Sequence, residues 1–235
     1  MDERKAEGSV SFGMLMYPQM TQLDFTGPFE VFSRIPDARV FVIGEALDPI
    51  QSDTGLRILP STTFAACPKI DVLCIPGGPG HVALMDDEAT LDFVRTRGEV
   101  ARLVTSVCTG SLILGAAGLL RGYRATTHWT SHEQLARFGA IPERARIVID
   151  RNRITGAGVT AGIDFAFTVA ATIAGESAAR AIQLVLEYDP QPPFDAGSPE
   201  RADADVVASI MGRDPRRQNL RLQAIERAAQ RLERG

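Results

Sequence analysis

Lysine is almost missing: only Lys5 and Lys69 stand among 25 basic residues, a skew attributed to GC-rich coding rather than to mechanism. The three cysteines, Cys67, Cys74 and Cys108, are an odd number and form no C-x-x-C pair, which excludes a disulfide framework and a thiolate zinc cluster. Histidine occurs only at 81, 128 and 132, so a catalytic triad with its histidine late in the domain is excluded. His128 and His132 have the i, i+4 spacing of a helical metal site, but H-E-x-x-H and an evident third ligand are lacking. There is no G-x-x-x-x-G-K-[ST] loop, and Gly156-Ala-Gly-Val-Thr-Ala-Gly162 misses the dinucleotide spacing by one residue, which argues against nucleotide binding. No apolar run is long enough to cross a membrane. The charged start Met1-Asp-Glu-Arg-Lys-Ala-Glu7 does not read as a signal peptide, so a cytoplasmic protein is expected.

What is present is an ordinary globular composition. Of the 235 residues (25.4 kDa), 45% are hydrophobic and 23% charged, with 21 Gly, 14 Pro and a mean hydropathy of -0.01. A net charge of -4 gives no general reason to expect a nucleic-acid partner. From Val10 to about Tyr188, short β-branched runs alternate with helical patterns, which predicts an α/β fold, a doubly wound and mainly parallel sheet flanked by helices. Strands are expected over Ser9 to Met16, Arg39 to Ile43, Ile70 to Pro76, Arg102 to Val107, Ala125 to Thr127, Arg146 to Ile149 and Arg153 to Thr155. Helices are expected over Pro28 to Arg34, Glu88 to Val100, Thr109 to Leu120, Ser131 to Phe138, Gly162 to Ala174 and Glu176 to Glu187.

A cluster of prolines from Pro190 to Pro199 ends this pattern and divides the chain into an α/β domain, 1–196, and a helical extension, 197–235. Residues 212–235 hold seven arginines against Asp214, Glu226 and Glu233, a net of +4. Leu222, Ile225, Ala229 and Leu232 share one helical face there, as in an amphipathic helix docked on its own or a partner subunit. Too few residues follow Ser198 for a full helix-turn-helix regulator domain.

The chemistry concentrates around Cys108. The run Arg102-Leu-Val-Thr-Ser-Val107 stops at that cysteine and a helix of small residues begins at once, a strand-to-helix elbow that exposes its junction side chain at the carboxyl end of the sheet. The helix terminus is expected to lower the thiol pKa, making Cys108 a candidate nucleophile, whereas Cys67 and Cys74 read as core residues. Pro76-Gly-Gly-Pro-Gly80 follows a buried strand; Gly78 is either a backbone donor to charge developing at the site or part of a simple turn. Asp24 either caps a helix, with Thr26 competing, or reaches the nucleophile as a proton donor whose pKa is raised by a thiolate. His128 is assigned a structural or supporting role, His132 a surface position, and Trp129 and Phe165 are candidate pocket walls.

These segments resemble the ThiJ/PfpI-type cysteine superfamily, and within it the isocyanide hydratases. The resemblance is carried by Gln22-Leu-Asp-Phe-Thr-Gly-Pro28, Ile70-Asp-Val-Leu-Cys-Ile-Pro-Gly-Gly78, Thr105-Ser-Val-Cys-Thr-Gly-Ser111, Arg124-Ala-Thr-Thr-His-Trp129, Gly158-Val-Thr-Ala-Gly-Ile-Asp164 and the stretch from Leu186 to Pro199. It implies a flavodoxin-like homodimer with Cys108 as nucleophile, Asp24 as its acidic partner and Thr109 completing the pocket. It further implies hydration of an isocyanide to an N-formamide through a thioimidate, with no metal or organic cofactor. Protease-type members are similar to one another in placing His after the cysteine and Glu near the first strand, where this chain has Thr109 and Asp24. Amidase-like transcription regulators share Ser-Val-Cys-Thr-Gly and Thr-Thr-His-Trp, so the alternative is a ligand-binding or redox-sensing protein without their DNA-binding domain.

Overall fold

The computed structural model describes residues 9–234; the charged start Met1–Glu7 and the last residue, Gly235, lie outside the described residues. Five parallel strands build the centre: β1 (Ser11–Leu15), β2 (Arg39–Gly44), β6 (Val72–Ile75), β7 (Leu103–Val107) and β11 (Arg153–Gly156). One edge is β10 (Ile147–Asp150), antiparallel to β11, and the other is the short β5 (Thr62–Thr63), giving the order β10-β11-β7-β6-β1-β2-β5. Strands β6 and β7 are buried along their whole length, and their apolar runs reflect a parallel sheet covered on both faces. Chain order reverses on either side of β1, so the carboxyl ends of β1, β6 and β7 meet at a topological switch point.

One face carries α1 (Gln22–Phe32), α5 (Ala161–Ala174) and α6 (Glu176–Val185); there Phe32 stacks on Phe12 at 4.6 Å and meets Phe165 edge-on at 6.4 Å. The other carries α2 (His81–Leu84), α3 (Glu88–Val100) and α4 (Gly110–Ala116). Helix α3 starts at Asp87, whose carboxylate accepts the N–H groups of Ala89 (3.1 Å) and Thr90 (3.4 Å).

Several expected elements are corrected. The first helix starts at Gln22 rather than Pro28, so Pro28 is inside it and Asp24 belongs to its first turn. Proline fits a first turn so well that it drew the expected start too far along the chain. The strand expected over Ala125 to Thr127 is the two-residue β8 (Arg124–Ala125), paired with β9 (Ile141–Pro142) outside the main sheet. The Trp129–Phe138 segment is a 3₁₀ helix, ended by Gly139 in the left-handed region. A small antiparallel pair, β3 (Ile50–Gln51) with β4 (Arg57–Ile58), lacked any apolar alternation that would announce it.

Two helices follow the proline-rich stretch, α7 (Ala204–Gly212) and α8 (Pro215–Arg234). Helix α8 packs on α2, α4 and the 3₁₀ segment through Ala224, Ile225, Ala228 and Ala229. Leu222 is not on this face; it is 49% exposed, because the buried stripe runs through residues one turn apart at 221, 224/225 and 228. Ion pairs flank the stripe: Arg227 to Asp86 at 2.5 Å, Arg231 to Asp86 at 3.1 Å and Arg137 to Glu226 at 2.5 Å. No helix among the described residues is long and apolar enough to cross a membrane.

Candidate active site

Strand register assembles the site. Ile75 pairs with Ser106, so two residues on, Gly77 sits beside Cys108. A Cβ on Gly77 would lie 2.8 Å from Asp24 Oδ2 and 2.8 Å from the Cys108 Cβ, so only glycine lets carboxyl and thiol meet over this turn. Cys108 adopts φ +56°, the strained elbow that its sequence context suggests. Its N–H donates to the carbonyls of Gly156 (3.0 Å) and Ala157 (2.9 Å), while its carbonyl accepts the hydroxyls of Ser111 (3.1 Å) and Thr127 (2.9 Å). These bonds hold a non-glycine residue in a conformation it would otherwise avoid.

Gly110, the first residue of α4, allows the sharp entry into that helix. An added Cβ would meet the Ile75 carbonyl oxygen at 2.1 Å, a clash with backbone that no side-chain rotation relieves. Gly110→Ala is expected to lower stability by about 2 kcal/mol or more, as for a severely overpacked core site. Urea unfolding of the purified variant measures it; an unchanged midpoint would show that the elbow can relax.

Asp24 is wholly buried, and its Oδ2 accepts the Gly77 N–H at 3.0 Å. Burial pushes its pKa up to about 7 from 3.8, against the opposing pull of hydrogen bonds from the Cys108 thiol and the Gly77 N–H. Cys108 is corrected in the opposite sense from the expectation. Burial first, and the Asp24 carboxylate second, hold its pKa well above the usual thiol range; the N–H groups of Thr109 and Val159 only oppose this. Helix α4 offers seven residues of dipole, and the cost of removing a thiolate from water is larger. The resting sulfur therefore keeps its proton, next to an acid that is half ionised at neutral pH.

An acid with a raised pKa costs the fold stability once it ionises. The protonated form is favoured on folding, so this stabilisation is complete below pH 3.8, is lost as pH rises towards 7 and is gone above it. Asp24→Asn, which can still accept the Gly77 N–H, should be more stable than wild type at pH 8 by roughly 4 kcal/mol, and the gap should close towards pH 4. Urea titrations at both pH values test it; a gap independent of pH would refute the raised pKa.

A cavity of about 220 Å³ opens over Cys108 and Thr109, lined also by Thr21, Asp53, Gly78, Pro79, His81, His128, Thr130, Val159, Arg217 and Arg221. Gly78 reaches it, but its N–H donates to the Thr109 hydroxyl at 3.0 Å; it positions that hydroxyl and is not a free donor. The Thr109 proton then remains available to a ligand, its nearest acceptor being the Gly78 carbonyl at 3.5 Å. His81 Nδ1 donates to the Gly78 carbonyl at 2.6 Å, leaving Nε2 a buried acceptor without a partner. The Tyr17 hydroxyl donates to the Pro76 carbonyl at 2.8 Å and braces the same turn.

His128 lines the cavity, and its Nδ1 accepts the Thr130 N–H at 3.3 Å, which leaves the proton on Nε2. Burial pushes both histidines down to about 4, so both are neutral at pH 7. Trp129, whose ring lies 5.8 Å from that of His128, does not line the cavity, and Phe165 belongs to the core against Phe32. The expected apolar walls are therefore absent from this cavity. His132 is not on the surface; it is 8% exposed, because the 3₁₀ segment turns it inward. Cys67 and Cys74 are buried as expected, and burial pushes Cys74 up to about 12.

Arg217 and Arg221 escaped sequence reasoning, as did His81, Asp53 and Thr21. The arginine-rich α8 was visible as a feature of the sequence, but which arginines face the site depends on how that helix docks.

Comparison with known proteins adds four findings. The DJ-1/PfpI family model matches residues 11–172. The isonitrile hydratase of Pseudomonas putida is 51% identical over 95% of this chain and 98% of its own length. A transcriptional regulator of the HTH type from Pseudomonas aeruginosa is 30% identical over 60% of this chain and 38% of its own. The crystal structure of a ThiJ/PfpI family protein from Pseudomonas syringae superimposes with a TM-score of 0.89 at 44% identity, covering 97% of each chain.

Proposed function

The chain belongs to the DJ-1/PfpI family, and from that premise we infer that it is a hydro-lyase that adds water to an isocyanide, giving the N-substituted formamide. Identity over nearly the full length of the Pseudomonas putida isonitrile hydratase supports the activity. The observation that carries the chemistry is the Asp24–Cys108 pair: a thiol and a carboxyl that can share one mobile proton at neutral pH, with the thiol lining an open cavity.

In the proposed mechanism, the Asp24 carboxylate takes the thiol proton as Cys108 sulfur bonds to the terminal carbon of R–N≡C. Asp24 returns that proton to the same carbon, leaving the thioimidate R–N=CH–S–Cys. Water attacks this carbon, giving a proton to Asp24, which passes one to nitrogen. The carbon–sulfur bond of the tetrahedral adduct then breaks; the hydroxyl proton reaches sulfur through Asp24, and R–NH–CHO leaves with the thiol regenerated. The Thr109 hydroxyl, set by Gly78, and the N–H groups around the elbow orient the adduct. No metal or organic cofactor enters any step.

The direct test is to incubate the purified protein with p-nitrophenyl isocyanide and follow the N-formamide by ultraviolet absorbance. Enzyme-dependent formamide is the expected result, and well-folded protein that converts neither this compound nor a small aliphatic isocyanide would sink the assignment.

In the same reading, residues 1–196 supply the chemistry and the extension 197–235 supplies the outer wall of the cavity. Three buried free thiols fit a reducing compartment, and we place the protein in the cytoplasm. We also propose a homodimer. Helix α7 has no buried residue although it carries Val206, Ile210 and Met211, and Leu184 and Val185 on α6 are more than 70% exposed. Light scattering should return twice the mass of the 25.4 kDa chain, and Ile210→Asp should shift it towards monomer. A monomeric wild type would refute the dimer.

A further inference from the structure

An apolar isocyanide needs an apolar pocket, yet the cavity over Cys108 has only Pro79 and Val159 as plainly apolar walls besides the cysteine itself. Its charged lining is two guanidinium groups, Arg217 and Arg221, against one carboxylate, Asp53. One Asp53 oxygen accepts the Thr21 hydroxyl at 2.7 Å, and the other is buried without a partner. Both lining histidines are neutral, so the charged lining sums to one positive charge above the Asp24–Cys108 pair. His128 presents a ring that carries its proton on Nε2.

The arginines arrive by helix periodicity. Residues 217 and 221 are one turn apart on α8 and continue the stripe of Ala224, Ile225 and Ala228 that docks the helix, so packing of the apolar part aims the basic part at the cavity. Arg221 is half-buried. One terminal nitrogen donates to the Thr130 carbonyl at 3.3 Å, and its Nε is buried with no partner in the protein. Arg217 has only a long, exposed contact with Asp214 at 3.7 Å. A half-buried guanidinium with an unmet, buried donor is an unusual feature to leave above a nucleophile. It fits a planar anion with two oxygens, the geometry that arginine recognises best.

We propose that Arg221, assisted by Arg217, selects isocyanides that carry a carboxylate close to the isocyano nitrogen, so that the enzyme is a hydratase of compact isocyano acids. This rests on the hydratase reading. With the carboxylate on α8 and the isocyano carbon on Cys108, the substrate bridges two parts of the lining.

The test compares isocyanoacetate with methyl isocyanoacetate, in which one methyl group masks the anion, by formation of N-formylglycine or its ester. Wild type is expected to favour the acid in kcat/KM by about tenfold or more. Arg221→Gln should cut the acid-to-ester ratio by about tenfold, and Arg221→Lys, which keeps the charge, should restore part of it. A wild-type ratio near one would overturn the proposal and leave the hydratase reading standing, since the ester is still hydrated. Equal loss on both substrates in Arg221→Gln would overturn it too, placing the arginine with the thiol rather than with the substrate. Formamide from neither compound would overturn both.

Discussion

Replacing Cys108 with alanine should abolish formamide production, with a fall of at least about 10⁴-fold in kcat, while the circular dichroism spectrum and unfolding midpoint stay close to wild type. The reasoning is covalent. Both the formation of the thioimidate and the release of the formamide need the Cys108 sulfur, and neither Cys67 nor Cys74 can replace it, because neither lines the cavity. The removed atom is small and makes no structural hydrogen bond through its side chain that the fold depends on; the elbow is held by backbone N–H and carbonyl groups that alanine keeps. Alanine at φ +56° is no more strained than cysteine. Residual turnover within tenfold of wild type would remove the covalent mechanism.

Asp24→Asn carries the second large effect, a loss of about 10³-fold or more in kcat/KM together with a change in the shape of the pH profile. In the proposed mechanism the active form holds one proton between Asp24 and Cys108. Below about pH 7 the carboxyl is neutral, a second proton is present and attack is blocked, so wild-type kcat/KM should rise tenfold per pH unit and level off above about 7. The plateau should extend into alkaline pH, because the thiol's own pKa is held well above its ordinary value of 9.0. In Asp24→Asn the acid limb should vanish from whatever activity remains. A wild-type profile flat from pH 5 to 8 would mean that Asp24 does not titrate in this range. Persistence of the limb in the variant would assign it to another group.

What could be read from the chain and what could not divides by range of interaction. The elbow at Cys108 was legible because its signal is local: a β-branched run, then small residues, within ten positions. The strands β1, β2, β6 and β7 were legible for the same reason, and so was the parallel sheet they imply. Asp24 was named, yet its contact with the thiol depends on register across three strands and on Gly77 having no side chain. The direction of the Cys108 pKa was misread because the helix terminus is visible in sequence and burial is not. The 3₁₀ segment, with its apolar positions spaced much as in an α-helix, was taken for one, and His132 was misplaced along with it. The arginines of α8 were counted but not aimed, since the face a helix buries is decided by the groove that receives it.

That groove has a consequence for how the gene can change. The family-wide match ends at residue 172, whereas the arginines over the cavity come from a helix that begins at Pro215. Substitutions at Arg217 and Arg221, outside the docking stripe of Ala224, Ile225, Ala228 and Ala229, alter what the Cys108 thiol is shown without touching the elbow, the Gly77 turn or the Asp24 pair. Diversification among close relatives should therefore concentrate at positions 217 and 221, where a new preference can arise while the reaction itself is kept.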